Sequence, residues 1–256
     1  MAVTVDRQHG VMVVTIDRPE RRNALNGETI GLIGAAFLSA EEDDTIRAVV
    51  LTGAGDQAFC AGMDLRDFAA TGGTARTGQT SGPGLEVFTT RCYPKPVLVA
   101  VNGSAVGGGF EMVLACDIAV AAAHATFAVP EVRRGLVGAG CSTRLAARLP
   151  PAVASELCLI GEPISSTRAQ ALGLVNEVVP SGEALTRALQ LAQAIAANAP
   201  LALRVTKQLI WDEQGAHDAG EWAAIRSKAT PVFASEDARE GTRAFAEKRP
   251  PVWTGR

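Results

Sequence analysis

Apolar and polar positions fall into two rhythms along this chain. Val3 to Val5 and Val11–Ile16 are β-branched runs parted by Gly10, which predicts a hairpin ended by Asp17-Arg18-Pro19. Over residues 28–42 the apolar Ile30, Ile33, Phe37 and Ala40 recur three or four apart, marking one face of a helix. Ala48-Val49-Val50-Leu51 is apolar without a break, as a strand buried on both faces is, and stops at Thr52-Gly53. Residues 96–101 read the same way, and Gly107-Gly108-Gly109 then opens a short helix to about Cys116. Further short strands are expected at 118–121, 126–129 and 175–179, and helices at 85–92 and 151–160. Residues 71–84, dense in Gly, Thr and Ser and without periodicity, read as a surface loop.

The recurrence of strand, strand and helix favours a wound α/β core over separated blocks of strands and helices. Beyond Gly182 the pattern is helical, at 184–197, 200–213, 220–229 and 236–248. Asn198-Ala199-Pro200 is the expected boundary, dividing a core at 1–197 from a helical region at 198–256.

Composition narrows the class. Of 256 residues 47% are hydrophobic and 20% charged, a globular balance that suits one enzyme-sized unit. The net charge of −3 is interspersed, so no basic face is offered to nucleic acid. Five cysteines, odd in number and without a C-x-x-C pair, read as free thiols in a reducing compartment. No apolar run approaches the roughly 18 residues of a membrane span, so a cytoplasmic protein without a membrane partner is expected. Asn102-Gly103-Ser104 matches a glycosylation sequon that such a compartment would leave unused.

Three segments could carry chemistry. In Gly107-Gly108-Gly109-Phe110-Glu111 an acid follows a glycine turn into a helix, where unpaired amides and the positive dipole end can hold an anionic oxygen; a tight turn with a solvated Glu is the plainer account. Residues 58–65 (AFCAGMDL) could be a strand end whose amides face a cleft, or a structural loop with Asp64 capping the next helix. Glu131 follows Pro130 directly after an apolar strand, and is either functional or exposed in the turn. The three histidines are too scattered for a metal site or a triad. G-x-S-x-G, Walker A and G-x-G-x-x-G sequences are absent, which leaves nucleophilic hydrolysis and nicotinamide chemistry without support.

Taken in order, the segments resemble the enoyl-CoA hydratase/isomerase, or crotonase, family. The resemblance is carried by Arg18-Pro19 with Asn23-Ala24-Leu25-Asn26, by 58–65, 95–117 (KPVLVAVNGSAVGGGFEMVLACD), 127–132 (FAVPEV), 161–179 and 236–249, which together span nearly the whole chain. It implies a spiral of ββα repeats, a C-terminal helical region used in assembly, and homotrimers or homohexamers. Met63 and Gly108 match the oxyanion-hole positions, each through its backbone N–H, and Glu111 and Glu131 match the two acids of the hydratases. Ala24, Leu25, Ala61, Asp64 and Leu65 would line the CoA path, with Arg22 near phosphate and Phe245 and Lys248 reaching a neighbouring subunit's CoA. The Met63 side chain would narrow the pocket. Coenzyme A enters as part of the substrate, and no cofactor is expected. The resemblance implies hydration of a trans-2-enoyl-CoA. Its alternatives are an enoyl-CoA isomerase, a dehydratase of a specialised acyl-CoA, or a non-catalytic acyl-CoA binder. The chain departs from the family pattern at Gly135 to Ser142, where members often carry a proline and paired glycines.

Overall fold

The computed structural model describes residues 1–70, 82–213 and 219–256. The chain opens with the expected hairpin, β1 (Val3–Gln8) antiparallel to β2 (Val11–Ile16), with Val5 opposite Val14. A 3-10 turn at Pro19–Arg21 leads to α1 (Gly27–Glu42), whose first turn is capped by Asn26: its side-chain oxygen accepts from Thr29 N at 2.9 Å.

Three circuits of the chain follow. Each lays a strand into one sheet and the next strand into a second sheet before turning into helix. The first circuit supplies β3 (Ala48–Gly53), β4 (Ala58–Cys60), α2 (Leu65–Ala70) and α3 (Glu86–Thr89). The second supplies β5 (Val97–Val101), β6 (Ser104–Val106) and α4 (Gly108–Ala115). The third supplies β7 (Ile118–Ala122), β8 (Thr126–Ala128), α5 (Ala139–Arg148) and α6 (Pro151–Ile160). Then β9 (Ile164–Ser165), α7 (Ser166–Ala171) and β10 (Glu177–Val179) complete the sheets, in the orders β1-β2-β3-β5-β7-β10 and β4-β6-β8-β9. Only β1/β2 and β8/β9 pair antiparallel among these neighbours. The expected α/β spiral of ββα turns is the fold observed.

The unbroken apolar runs of β3, β5 and β7 are explained by cover on both faces of the first sheet. Val49, Leu51, Val97, Val99 and Val101 face the main core, with Phe37 of α1 and Phe110 of α4. Val50, Leu98, Ala100 and Val120 face the other way, onto α8 (Ala184–Ala196), whose Ala184, Ala188 and Ala192 present a small-residue stripe. Helices α9 (Pro200–Glu213), α10 (Ala219–Phe233) and α11 (Glu236–Glu247) follow. Among the described residues no helix is long and apolar enough to cross a membrane. All five cysteines are free thiols.

Some elements differ from expectation. The helix expected at 85–92 is a single turn, because Pro94 and Pro96 bias the residues before them away from helical backbone and Tyr93 is drawn inward, where its hydroxyl donates to Phe37 O at 2.6 Å. The short strands β6 and β9 and the helices α5 and α7 were not anticipated. Two or three residues carry no readable period, and α5 begins on Gly and Ala. The loop expected at 71–84 lies, as far as residue 81, outside the described residues. Asn102 of the sequon spends its amide inside the protein, donating to Gly55 O at 2.8 Å and accepting from Gly53 N at 3.1 Å.

Candidate active site

The site is built where α4 begins. Gly107 turns the chain with a φ of 55° and donates its N–H to Ala128 O at 2.9 Å, and α4 starts at the next residue. Glu111 N donates to Gly107 O at 2.9 Å, closing the first helical turn. Gly108 therefore holds one of the leading amides for which a helix has no internal partner. Facing it is the loop after β4. Leu25 N donates to Gly62 O and Asp64 N to Leu25 O, both at 2.8 Å, in a parallel bridge between Leu25 and Met63. That pairing spends the groups flanking Met63 on Leu25 and turns Met63's own N–H to the opposite side. Gly62, at a φ of 81°, presses this loop on the helix start: a Cβ there would stand 2.7 Å from Val106 O and 3.3 Å from Gly108 N.

The two carboxyls lie along a wall of bare backbone. Glu111 projects from the first turn of α4, and Glu131 begins a 3-10 turn (Glu131–Arg134) directly after Pro130. A Cβ on Gly107 would come within 2.8 Å of Glu131 Oε1, and one on Gly138 within 3.2 Å of the same atom. A Cβ on Gly140 would fall on the Glu111 carboxyl itself, with Oε2 at 2.6 Å. The segment from Gly135 to Ser142, where the chain departs from the family pattern, thus makes room for both acids. Burial pushes the Glu131 carboxyl up to about 7, its own backbone hydrogen bond opposing and the Glu111 charge adding to the shift. Glu131 Oε2 is buried without a hydrogen-bond partner among the described residues. Burial also raises Glu111, but there a cation, Arg144, opposes it.

Arg144 was missed in the sequence. It lies on α5 and is 8% exposed, with Nη1 3.7 Å from Glu111 Oε1. Its setting, Ser-Thr-Arg-Leu in a mixed helical stretch, is what a solvated surface arginine would also show; only the distance to Glu111 singles it out.

The residues expected along a CoA path are not equivalent. Ala24 and Leu25 are buried, and the Leu25 side chain lies 3.6 Å from where a Gly108 Cβ would stand. Arg22 is exposed, with a φ of 51°, and its carbonyl accepts from Ala61 N at 3.0 Å. The Asp64 carboxylate is committed inside the protein: it pairs with Arg18 at 3.3 Å and accepts from Arg66 N at 3.2 Å, capping α2 as the structural account of that residue expected. Met63 and Leu65 pack with Leu136, Phe233 and Ala238, so the Met63 side chain belongs to a small core under α11 as well as to the loop. Phe245 is 48% exposed and receives the Arg134 guanidinium 4.4 Å over its ring, which sets it beside the turn that begins at Glu131. Lys248 ends α11 in left-handed backbone, φ 55°.

Known proteins are similar to this chain over nearly its whole length. The enoyl-CoA hydratase/isomerase family matches residues 6–256. Carnitinyl-CoA dehydratase of Salmonella typhi is 40% identical over 257 aligned residues, covering 98% of this chain and 97% of the relative. Among solved structures, carnitinyl-CoA hydratase from Mycobacterium avium superposes with a TM-score of 0.89 at 41% identity, covering 100% of this chain and 99% of that one. Enoyl-CoA hydratase from Mycobacterium tuberculosis H37Rv does so with a TM-score of 0.77, also at 41% identity and with the same coverage.

Proposed function

Since the chain belongs to the enoyl-CoA hydratase/isomerase family, we propose that it interconverts a 3-hydroxyacyl-CoA and its trans-2-enoyl-CoA by loss and gain of water, on a specialised acyl group of the carnitinyl kind. The observation that carries the reaction is the pair of carboxyls, Glu111 and Glu131, on a side-chain-free wall beside the amides of Met63 and Gly108. The relatives' names favour the specialised dehydratase over a general enoyl-CoA hydratase, the reading that the sequence alone put first.

In this reading the thioester oxygen accepts from Met63 N–H and Gly108 N–H, which draws electron density from C3 of the enoyl group. Donors fixed in advance at such an oxygen are typically worth about two to three orders of magnitude each. In hydration a water oxygen bonds to C3, its proton passes to the Glu111 carboxylate, and the Glu131 carboxyl gives a proton to C2. Dehydration runs the same transfers backwards: Glu131 takes the C2 proton and Glu111 returns one to the leaving hydroxyl. The acids suit this division because one has a cationic neighbour and the other has none among the described residues. Coenzyme A is part of the substrate, bound along Ala24, Leu25, Ala61 and Leu65 with Arg22 near phosphate. We propose a homotrimer or homohexamer acting in the cytoplasm. The exposed Leu201, Val205 and Leu209, spaced four apart on α9, give such an assembly an apolar face to cover.

The test is enoyl-thioester absorbance with mass analysis of the product, run with carnitinyl-CoA, 3-hydroxybutyryl-CoA and crotonyl-CoA. Water loss from carnitinyl-CoA at the highest kcat/KM is expected. Preference for the unbranched, uncharged pair would make the enzyme a general hydratase, and no change in mass with any of them would overturn the reaction.

A further inference from the structure

Arg144 is a costly residue to place where it is. A guanidinium withdrawn from water must recover its hydration from fixed partners. Arg144 finds them on three elements: Nη2 donates to Thr89 O of α3, Nη1 donates to Gly140 O of α5 at 3.4 Å, and the guanidinium lies 4.8 Å over the ring of the buried Trp222 on α10. These hold the side chain without Glu111. Yet the cation ends 3.7 Å from the Glu111 carboxylate, an ion-pair distance rather than a hydrogen bond, on the side of a carboxyl that is itself 30% exposed.

We infer that Arg144 is a positioning residue: from behind the cleft it fixes the Glu111 carboxylate and keeps it the ionised member of the pair, which leaves Glu131 as the proton donor. Only the assignment of reaction steps to the two acids rests on the hydratase reading; the electrostatic ranking of the acids does not. The surroundings of α4 support the ranking. The elements packed against α4 are α3, α5, β4 and β6. Their titratable groups, with those at the end of α4, are Glu86, Cys60, Cys141, Arg144, Arg148, Cys116 and Asp117. The thiols of Cys60, Cys116 and Cys141 are pushed up by burial and stay neutral. Glu86 turns back to accept from Gly84 N at 2.8 Å, Asp117 pairs with Lys207 at 2.7 Å, and Arg148 acts on Arg144, Cys116 and Asp117. Arg144 is the cation that reaches Glu111, and Glu131 Oε2 meets no donor among the described residues. Two like acids are thereby made unlike by a buried residue that stands behind only one of them.

The experiment is an infrared titration of the carboxyl of Glu111, isolated as the difference from Glu111→Gln, in the native enzyme, Arg144→Gln and Arg144→Lys, with kcat and KM measured in parallel. In Arg144→Gln the Glu111 midpoint should rise by about one pH unit or more. Turnover should fall roughly 100-fold with KM within about threefold, since binding groups are untouched. Arg144→Lys should restore part of both. In a Glu111→Gln background, Arg144→Gln should cost nothing further in kcat. A purely structural clamp on α3, α5 and α10 would cost as much with Glu111 absent as present, and that additivity, or an unmoved Glu111 midpoint in a folded variant, overturns the inference. Should Arg144→Gln fail to fold, Trp222→Leu, which loosens the guanidinium from its ring, should raise the midpoint in the same direction by a smaller amount, and an unchanged midpoint there counts against it. If the native enzyme turns over none of the CoA thioesters, the reaction is refuted while the titration still decides the role of Arg144.

Discussion

Glu111 and Glu131 lie close enough to act on one another but do not share an environment, and the residue scale is where their difference can be measured. General acid–base groups typically contribute about two to four orders of magnitude. Glu111→Gln and Glu131→Gln should therefore each lower kcat by at least roughly 100-fold while KM for the CoA thioester stays within a few-fold; steady-state kinetics at pH 7 check this, and full turnover in either variant would remove both acids from the mechanism. The raised Glu131 also predicts a stability effect with a definite sign. A carboxyl held near 7 in the folded protein but near its ordinary value when unfolded binds its proton more tightly in the fold. Its contribution is therefore fully present in acid and is lost as pH climbs from about 4.5 through 7. Glu131→Gln, which cannot ionise, should raise the thermal midpoint at pH 8 and change it little at pH 5; a midpoint difference that is the same at both values would contradict the buried, unpartnered setting of Oε2. Gly140→Ala should cost activity for a steric reason, because its methyl would occupy the position of the Glu111 carboxyl. A displacement of that kind is expected to lower kcat on the order of 100-fold, with the Glu111→Gln background insensitive to it.

At the scale of elements, the site depends on close approaches that small residues permit. α4 lies hard against β4 because Gly109 has no side chain to meet the Cys60 carbonyl, and that approach sets the Gly108 amide beside the Met63 loop. On the far face of the first sheet, α8 sits on Val50, Leu98 and Val120 through Ala184, Ala188 and Ala192. Ala188 is fully buried, so Ala188→Leu must either lift the helix or strain the strands. The expected cost is about 1–3 kcal/mol, read as a lower midpoint in urea with an unchanged slope. A neutral result would mean that the helix does not bear on the sheet as described. The site itself lies on the other side of the sheet from α8, so kcat of the folded Ala188→Leu enzyme should stay near the native value.

For the whole molecule, the proposed assembly makes its own prediction. Leu201, Val205, Leu209 and Ile210 are between 49% and 64% exposed on α9, while the same helix is tied to the core through Lys207, which donates to Lys95 O at 2.8 Å and pairs with Asp117 at 2.7 Å. Leu201→Glu with Leu209→Glu should shift sedimentation from trimer or hexamer towards smaller species, and a native chain that sediments as a monomer would refute the assembly. How much of this was legible beforehand follows from what kind of information each feature needs. Strands β2, β3, β5 and β7 and helices α1, α6 and α8 were readable because their apolar residues carry a period or an unbroken run, which is a local property of the chain. The spacing of Gly108, Glu111 and Glu131 behind two apolar strands was likewise written along the chain, and with it the acids and the family resemblance. Strands β6 and β9, of three and two residues, hold their places only through pairing with distant partners, so no local pattern marks them. Arg144 looks like any helical surface arginine until α5 is laid against α4. Gly138 and Gly140 look like loop residues until two carboxyls fill the space their missing side chains leave. The sequence by itself determined the family and the α/β spiral, and put forward Glu111 and Glu131 as candidate acids. Only the tertiary structure decided which acid has a cation behind it, because burial and the distance between groups remote in sequence exist only once the chain is folded.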